Sequence, residues 1–232
     1  MKLKKSTLFF YSLAEMPINI ALFPILVFIP KFYTGEMGVP LALAANIILA
    51  VRIFDVFTDP VVGYINDRTN TKWGRRRPWI AIATPLLMVS IYMLFIPPEG
   101  VGALHLFLWM FLLSIGTTML IIPYYAWGAE LSPDYNERSR ITGWRSISGV
   151  VGSLSAQLIP TIALVFFGLG GSTNVLYIVG IASVIIMPIC VFLTVLKVPE
   201  SKDYVQSNIS PIKGFKIMLE NSPFKRLIMA FM

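Results

Sequence analysis

The sequence predicts an all-α membrane protein of six transmembrane helices followed by the start of a seventh. Three observations predict it. Of the 232 residues, 56% are hydrophobic and 13% charged, where a soluble domain carries about 25% charged residues. The apolar residues gather into blocks of about twenty, the length a helix needs to cross ~30 Å of hydrocarbon. Positive charge collects in alternate connections between those blocks, as membrane topology requires.

The first span covers residues 8–33. Lys2, Lys4 and Lys5 precede it as they would a signal peptide, but no small-residue cleavage site follows and the apolar run continues past Glu15. It therefore reads as a retained helix. The turn Thr34-Gly35-Glu36-Met37-Gly38 leads to the second span, 40–65. A basic connection, 67–78, leads to the third, 79–96, and Pro97-Pro98-Glu99-Gly100 to the fourth, 103–131. The polar stretch 132–140 precedes the fifth, 141–167, and a Gly-rich turn at 168–172 precedes the sixth, 175–196. Prolines inside the spans, among them Pro17, Pro24, Pro85 and Pro188, imply bent helices whose freed carbonyls find partners in the packed bundle.

Sixteen of the 19 Lys and Arg residues fall in the N-terminal tail and the even-numbered connections; Lys31 lies at an odd one, and Arg52 and Arg145 lie in or near spans. This places the N-terminus in the cytoplasm. The +7 net charge is thereby a topology signal, and no nucleic-acid partner is expected. Residues 1–198 form the six-helix bundle and 199–222 a cytoplasmic linker. Within the linker Ile212, Phe215, Met218 and Leu219 share one face of an amphipathic helix. Residues 223–232 begin a seventh span cut short at Met232, so a second half is expected to follow in the gene.

One cysteine, Cys190, and one histidine, His105, exclude a disulfide framework and a Cys/His metal cluster. No nucleophile and base pair or phosphate-binding glycine loop is visible, so neither an enzyme nor a cofactor is expected.

The second span carries Arg52, Asp55 and Asp59, although each charge costs about 2.5–3.5 kcal/mol at a bilayer centre. At 100° per residue the three share an arc of roughly 60° and are expected to face the bundle interior. An internal salt bridge accounts for one carboxylate. The other leaves a net negative charge for a monovalent cation or a proton to neutralise. Glu15 and Arg145 are further charges in or near spans, and Asn19, Thr58, Thr118 and Tyr125 add polar surface. Ser148, Gly149, Gly152, Ser153 and Ser155 offer a face for close helix approach.

The stretch from Arg52 through Asp55, Asp59-Pro60, Gly63 and Asp67-Arg68 to Gly74-Arg75-Arg76-Arg77 resembles the glycoside-pentoside-hexuronide cation symporters of the major facilitator superfamily. The resemblance implies twelve helices in two halves, of which this chain is the N-terminal one, working as a monomer when full length. It implies import by alternating access across a bacterial inner membrane, coupled to Na+ or H+ as the only metal or cofactor-like species.

The resemblance places the cation at Asp55, Asp59, Thr58 and Thr118, with Arg52 as charge partner. It places a small-molecule substrate at Asn19, Ile121, Tyr125 and Arg145. The family's galactoside carriers have carboxylates where Asn19 and Ile121 stand, so galactoside specificity is not implied, and a sugar-like, lipid or anionic solute fits the pattern. The loop residues Gly63, Asp67, Arg68, Gly74, Arg75, Arg76 and Arg77 correspond to the segment that holds the two halves together on the cytoplasmic side. A half-transporter acting as a homodimer, a non-transporting membrane interaction protein and a proton-conducting or lipid-handling protein are the rival readings.

Overall fold

The computed structural model describes residues 2–168 and 171–200. The expected linker helix beyond Glu200 and the seventh span lie outside the described residues. Among the described residues there are eight helices: α1 (Lys5–Ser12), α2 (Glu15–Val27), α3 (Ile29–Gly35), α4 (Leu41–Arg68), α5 (Arg77–Phe95), α6 (Ala103–Glu130), α7 (Tyr135–Phe167) and α8 (Ser172–Lys197). Among the described residues six stretches are long and apolar enough to cross a membrane, with α1 and α2 together forming the first and α3 following it.

The first span is interrupted twice, and proline explains both interruptions. Pro17 has no N–H to offer the Leu13 carbonyl, which instead accepts from Met16 N at 3.3 Å. The backbone remains right-handed helical through Leu13 and Ala14 while the α-helical ladder lapses. Pro30 likewise has no N–H for the Leu26 carbonyl, and α2 gives way to α3 at Phe28. Neighbouring side chains satisfy carbonyls in the last turn of α1. The Tyr124 hydroxyl donates to Tyr11 O at 2.8 Å and the Thr194 hydroxyl to Phe10 O at 2.8 Å. Such partners are obligatory where no water is at hand.

The fifth span starts earlier than its hydropathy suggests. Asp134 caps α7 by accepting from Glu137 N at 3.1 Å, so the polar residues 135–140 extend the helix at one end. Its other end is closed by Gly168 at φ +67°, a left-handed backbone suited to glycine.

α6 packs between α4 and α5, α8 between α5 and α2, and α7 lies on α2. The core is filled by Ile20, Leu94, Leu120, Trp127 and the reciprocally hydrogen-bonded pair Tyr11 and Tyr124, whose rings stack at 4.7 Å. α7 approaches α2 so closely at Gly152 that a Cβ there would run into the Met16 carbonyl. At the far end of the bundle His105 bonds the Met93 carbonyl at 2.8 Å and stacks on Tyr33, while Cys190 is buried in α8 one turn before Thr194.

Burial is uneven. In the apolar window of the first span 56% of residues are buried, against 17% in α4 and 22% in α7. Arg52, Asp55 and Asp59 therefore do not point into the middle of the six-helix bundle as expected. α4 has α6 on one side and α3 at its end, and its charged arc borders a cleft open to one face.

Candidate functional site

A cleft of about 260 Å³ lies between α2, α4 and α6. Leu22, Ile25, Ile48 and Leu113 give it apolar walls, and Arg52, Asp55, Asp59, Ser114 and Thr118 line it with charge and hydroxyls. Two i,i+4 pairs on adjacent helices meet there. The Thr118 hydroxyl donates to Asp59 Oδ1 at 2.7 Å, and one turn away the Ser114 hydroxyl donates to Asp55 Oδ1. This spacing puts both carboxylates on one face of α4 and both hydroxyls on the facing side of α6.

Arg52 Nη1 stands 3.5 Å from Asp55 Oδ2, with side-chain exposures of 64% and 18%. So open a pair is a weak one. Among the described residues no Lys, Arg or His forms an ion pair with Asp59, whose charge is met only by the Thr118 hydroxyl. Two carboxylates facing one guanidinium leave one negative charge along a largely apolar cleft. Oxygen ligands of this kind suit a hard cation.

Thr58 is not brought to this ladder. Its hydroxyl donates back to its own helix, at 3.3 Å from Phe54 O and 3.4 Å from Asp55 O. Ser114, absent from the expected set, takes the position beside Asp55. The sequence held a signal for it, because Ser114 precedes Thr118 by the same four residues that separate Asp55 from Asp59.

Asn19, Tyr125 and Arg145 come together with Glu15 beside the cleft. The Arg145 guanidinium lies 3.8 Å over the Tyr125 ring, with its Nε 3.9 Å from Glu15 Oε2. Tyr125 donates its hydroxyl proton to Glu15 Oε1 at 3.0 Å, and Asn19 Nδ2 donates to the Glu15 carbonyl at 2.9 Å. Glu15 is thus the centre of a charged cluster joining α2, α6 and α7. Its Oε2 is buried and accepts no hydrogen bond from the described residues, and Arg145 stands beside it as a charge partner. Ile121 stands apart from this cluster, on the wall of the cleft between Thr118 and Ile122.

The loop between α4 and α5 forms a third polar centre. Arg76, 5% exposed, reaches Asp67 at 2.7 Å and Glu130 at 2.6 Å and also bonds Asn66, while Arg75 reaches the same Glu130 oxygen at 2.5 Å. Arg77 donates to the Val198 carbonyl at 2.7 Å, and Arg68 covers the Tyr64 ring at 4.2 Å. The backbone N–H groups of Arg75 and Arg76 both donate to Glu200 Oε1 at 2.7 Å, an anion at the start of α5. Gly74, at φ +111°, permits this, since a Cβ there would strike the Glu200 carboxylate. Gly63 sits in α4 against Ile122. Glu130 and Glu200 are partners that the sequence did not single out.

Residues 10–232 match the model of the MFS/sugar transport protein family. The chain is 30% identical over 229 residues to the isoprimeverose transporter of Lactiplantibacillus pentosus, covering 93% of this chain and 47% of that protein. It is 29% identical over 142 residues to the glucuronide carrier protein homolog of Escherichia coli strain K12, covering 60% and 31% respectively. Against the sodium-dependent lysophosphatidylcholine symporter 1 of Mus musculus it is 33% identical over 136 residues, 55% of this chain and 26% of that protein. The chain spans less than half the length of these relatives. With its six spans and a match that runs through nearly all of its sequence, this multi-pass membrane protein belongs to the MFS/sugar transport protein family.

Proposed function

We propose that this chain is one half of a cation-coupled secondary symporter that imports a glycoside-like solute by alternating access. The observation that carries the reading is the excess carboxylate at Asp59, hydrogen-bonded by Thr118 at 2.7 Å in a cleft where Arg52 offsets only one of two negative charges. A Na+ ion or a proton taken up between Asp55 and Asp59 neutralises that charge. Moving one positive charge inward then contributes about 2.3 kcal/mol per 100 mV of membrane potential.

The solute occupies the space beside Asn19, Tyr125, Arg145 and Ile121. Loading the cation relieves the unpaired charge next to that space and raises affinity for the solute. The exposed charged arc of α4 and the open face of α7 meet a second half of the transporter, and the two rock about the shared site. The N-terminus and the basic α4–α5 loop lie in the cytoplasm, and the protein resides in a bacterial inner membrane. The names of the relatives support a glycoside as solute.

The test is gradient-driven uptake by the full-length protein in liposomes, with labelled isoprimeverose and a labelled glucuronide as probes. Accumulation is expected under an inward Na+ or proton gradient and is expected to vanish in Asp59→Asn. Undiminished accumulation in both Asp55→Asn and Asp59→Asn would falsify the reading.

A further inference from the structure

The exposed faces of the bundle differ in chemistry. α4 exposes Arg52 and Asp59, charges that do not rest in hydrocarbon. α5 and α8 carry no charged residue other than the terminal Arg77 and Lys197, and they expose Ile82, Val89, Ile185, Ile189 and Phe192. The α5 and α8 side is therefore the face turned to lipid.

A groove of about 490 Å³ runs between these two helices and shares no residue with the charged cleft. That volume is in the range of about 300–1,000 Å³ typical of small-ligand sites. Ala81, Met88, Val191 and Phe192 line it. Pro85 and Pro188 bring no N–H into the wall, and the Thr84 hydroxyl is spent on the Ile80 carbonyl at 2.7 Å. The wall is thus apolar along its length.

One end of the groove is different. It closes on Trp73, which is 67% exposed, and on Arg77. Arg77 Nη2 donates to Val198 O, but its Nε has no hydrogen-bond partner among the described residues. The nearest carboxylate, Glu200, stands at 3.9 Å and has its other oxygen held by two backbone N–H groups. Exposed Lys72 precedes Trp73, and exposed Lys197 follows the lining residue Leu196. Arg77, ion-paired with Glu200, and an interfacial tryptophan thus border the apolar slot, and two exposed lysines adjoin its lining residues in sequence.

We propose that the α5 and α8 groove binds one anionic phospholipid of the leaflet on the Arg77 side, with an acyl chain along Ala81 and Phe192 and the phosphate against Arg77, Lys72 and Lys197. This lipid is a resident of the outer face and not cargo of the central cleft. Hydrocarbon gains little by moving from the bilayer into an apolar groove, so the headgroup must supply the selectivity. Basic pockets at the membrane surface act in this way, each cation near the surface contributing about fivefold in affinity.

Native mass spectrometry of the full-length protein, released from micelles with equal phosphatidylglycerol and phosphatidylcholine, tests the site. The wild type is expected to retain one phosphatidylglycerol in at least about fivefold preference. The pair Lys72→Gln and Lys197→Gln, both surface changes that leave the packing intact, is expected to bring the two lipids to near parity. Ala81→Trp, which fills the groove, is expected to remove the adduct. Equal retention of both lipids by the wild type overturns the proposal, as does undiminished preference in the lysine pair. A dimer abolished by Ala81→Trp would assign the groove to a second copy and also overturn it.

Discussion

Thr118 donates its hydroxyl proton to Asp59 across the α4 and α6 interface at 2.7 Å, one helical turn from the matching contact between Ser114 and Asp55. Hydrogen bonds to charged groups are worth about 1.5–3 kcal/mol. Thr118→Val keeps the shape and removes the donor. It is expected to weaken cation activation of uptake about tenfold, read as the cation concentration for half-maximal rate, with expression unchanged. Ser114→Ala is expected to act in the same direction, while Thr58→Ser, whose hydroxyl stays on its own helix, is expected to leave that concentration within about twofold.

Glu15 and Arg145 form a shielded pair that bridges 130 residues of sequence, side chains 11% and 21% exposed. Removing one partner of a buried pair costs about 3–5 kcal/mol. The 3.9 Å separation and partial access of solvent reduce this to about 1–3 kcal/mol here. Arg145→Gln is therefore expected to lower the melting temperature of the full-length protein, and Glu15→Gln with Arg145→Gln to recover part of the loss. A simple sum of the single effects, measured by thermal unfolding, would show that the two do not interact.

Gly152 is where α7 touches the backbone of α2, and the Met16 carbonyl leaves no room for a side chain. Overpacking of this kind costs about 1–3 kcal/mol. Gly152→Val is expected to reduce folded yield in detergent, judged by size-exclusion chromatography, whereas Gly143→Ala, with nothing within 4 Å, is expected to be silent.

Arg76 joins the end of α4 to the end of α6 through Asp67 and Glu130. A lysine keeps the charge but not the planar fork that reaches both carboxylates at once. Arg76→Lys is expected to retain less than half of wild-type uptake, and Arg76→Ala to lose nearly all of it in the same liposome assay.

Galactosides are expected to compete poorly for uptake, because Asn19 and Ile121 offer no carboxylate to sugar hydroxyls. Strong competition by melibiose would instead point to Glu15, the carboxylate that lies within hydrogen-bonding reach of Tyr125.

The sequence by itself determined the class of protein, the number and order of the spans, and the face of α4 that carries Arg52, Asp55 and Asp59. Each of these depends on one segment alone: its length, its transfer free energy and its 3.6-residue period. Of the two prolines that interrupt the first span, Pro17 was singled out from the sequence and Pro30 was not, and the positions of the lapses depend on carbonyls four residues earlier. Only the tertiary structure decided that Ser114 and not Thr58 stands against Asp55, that Glu15 answers Arg145, and that Glu200 is held at the start of α5. It also decided that the charged arc of α4 borders an open cleft and not the middle of the bundle. Such pairings depend on how each helix is rotated about its axis and where it crosses its neighbours. Hydropathy is nearly blind to both, because all faces of a membrane helix are apolar enough to enter the bilayer.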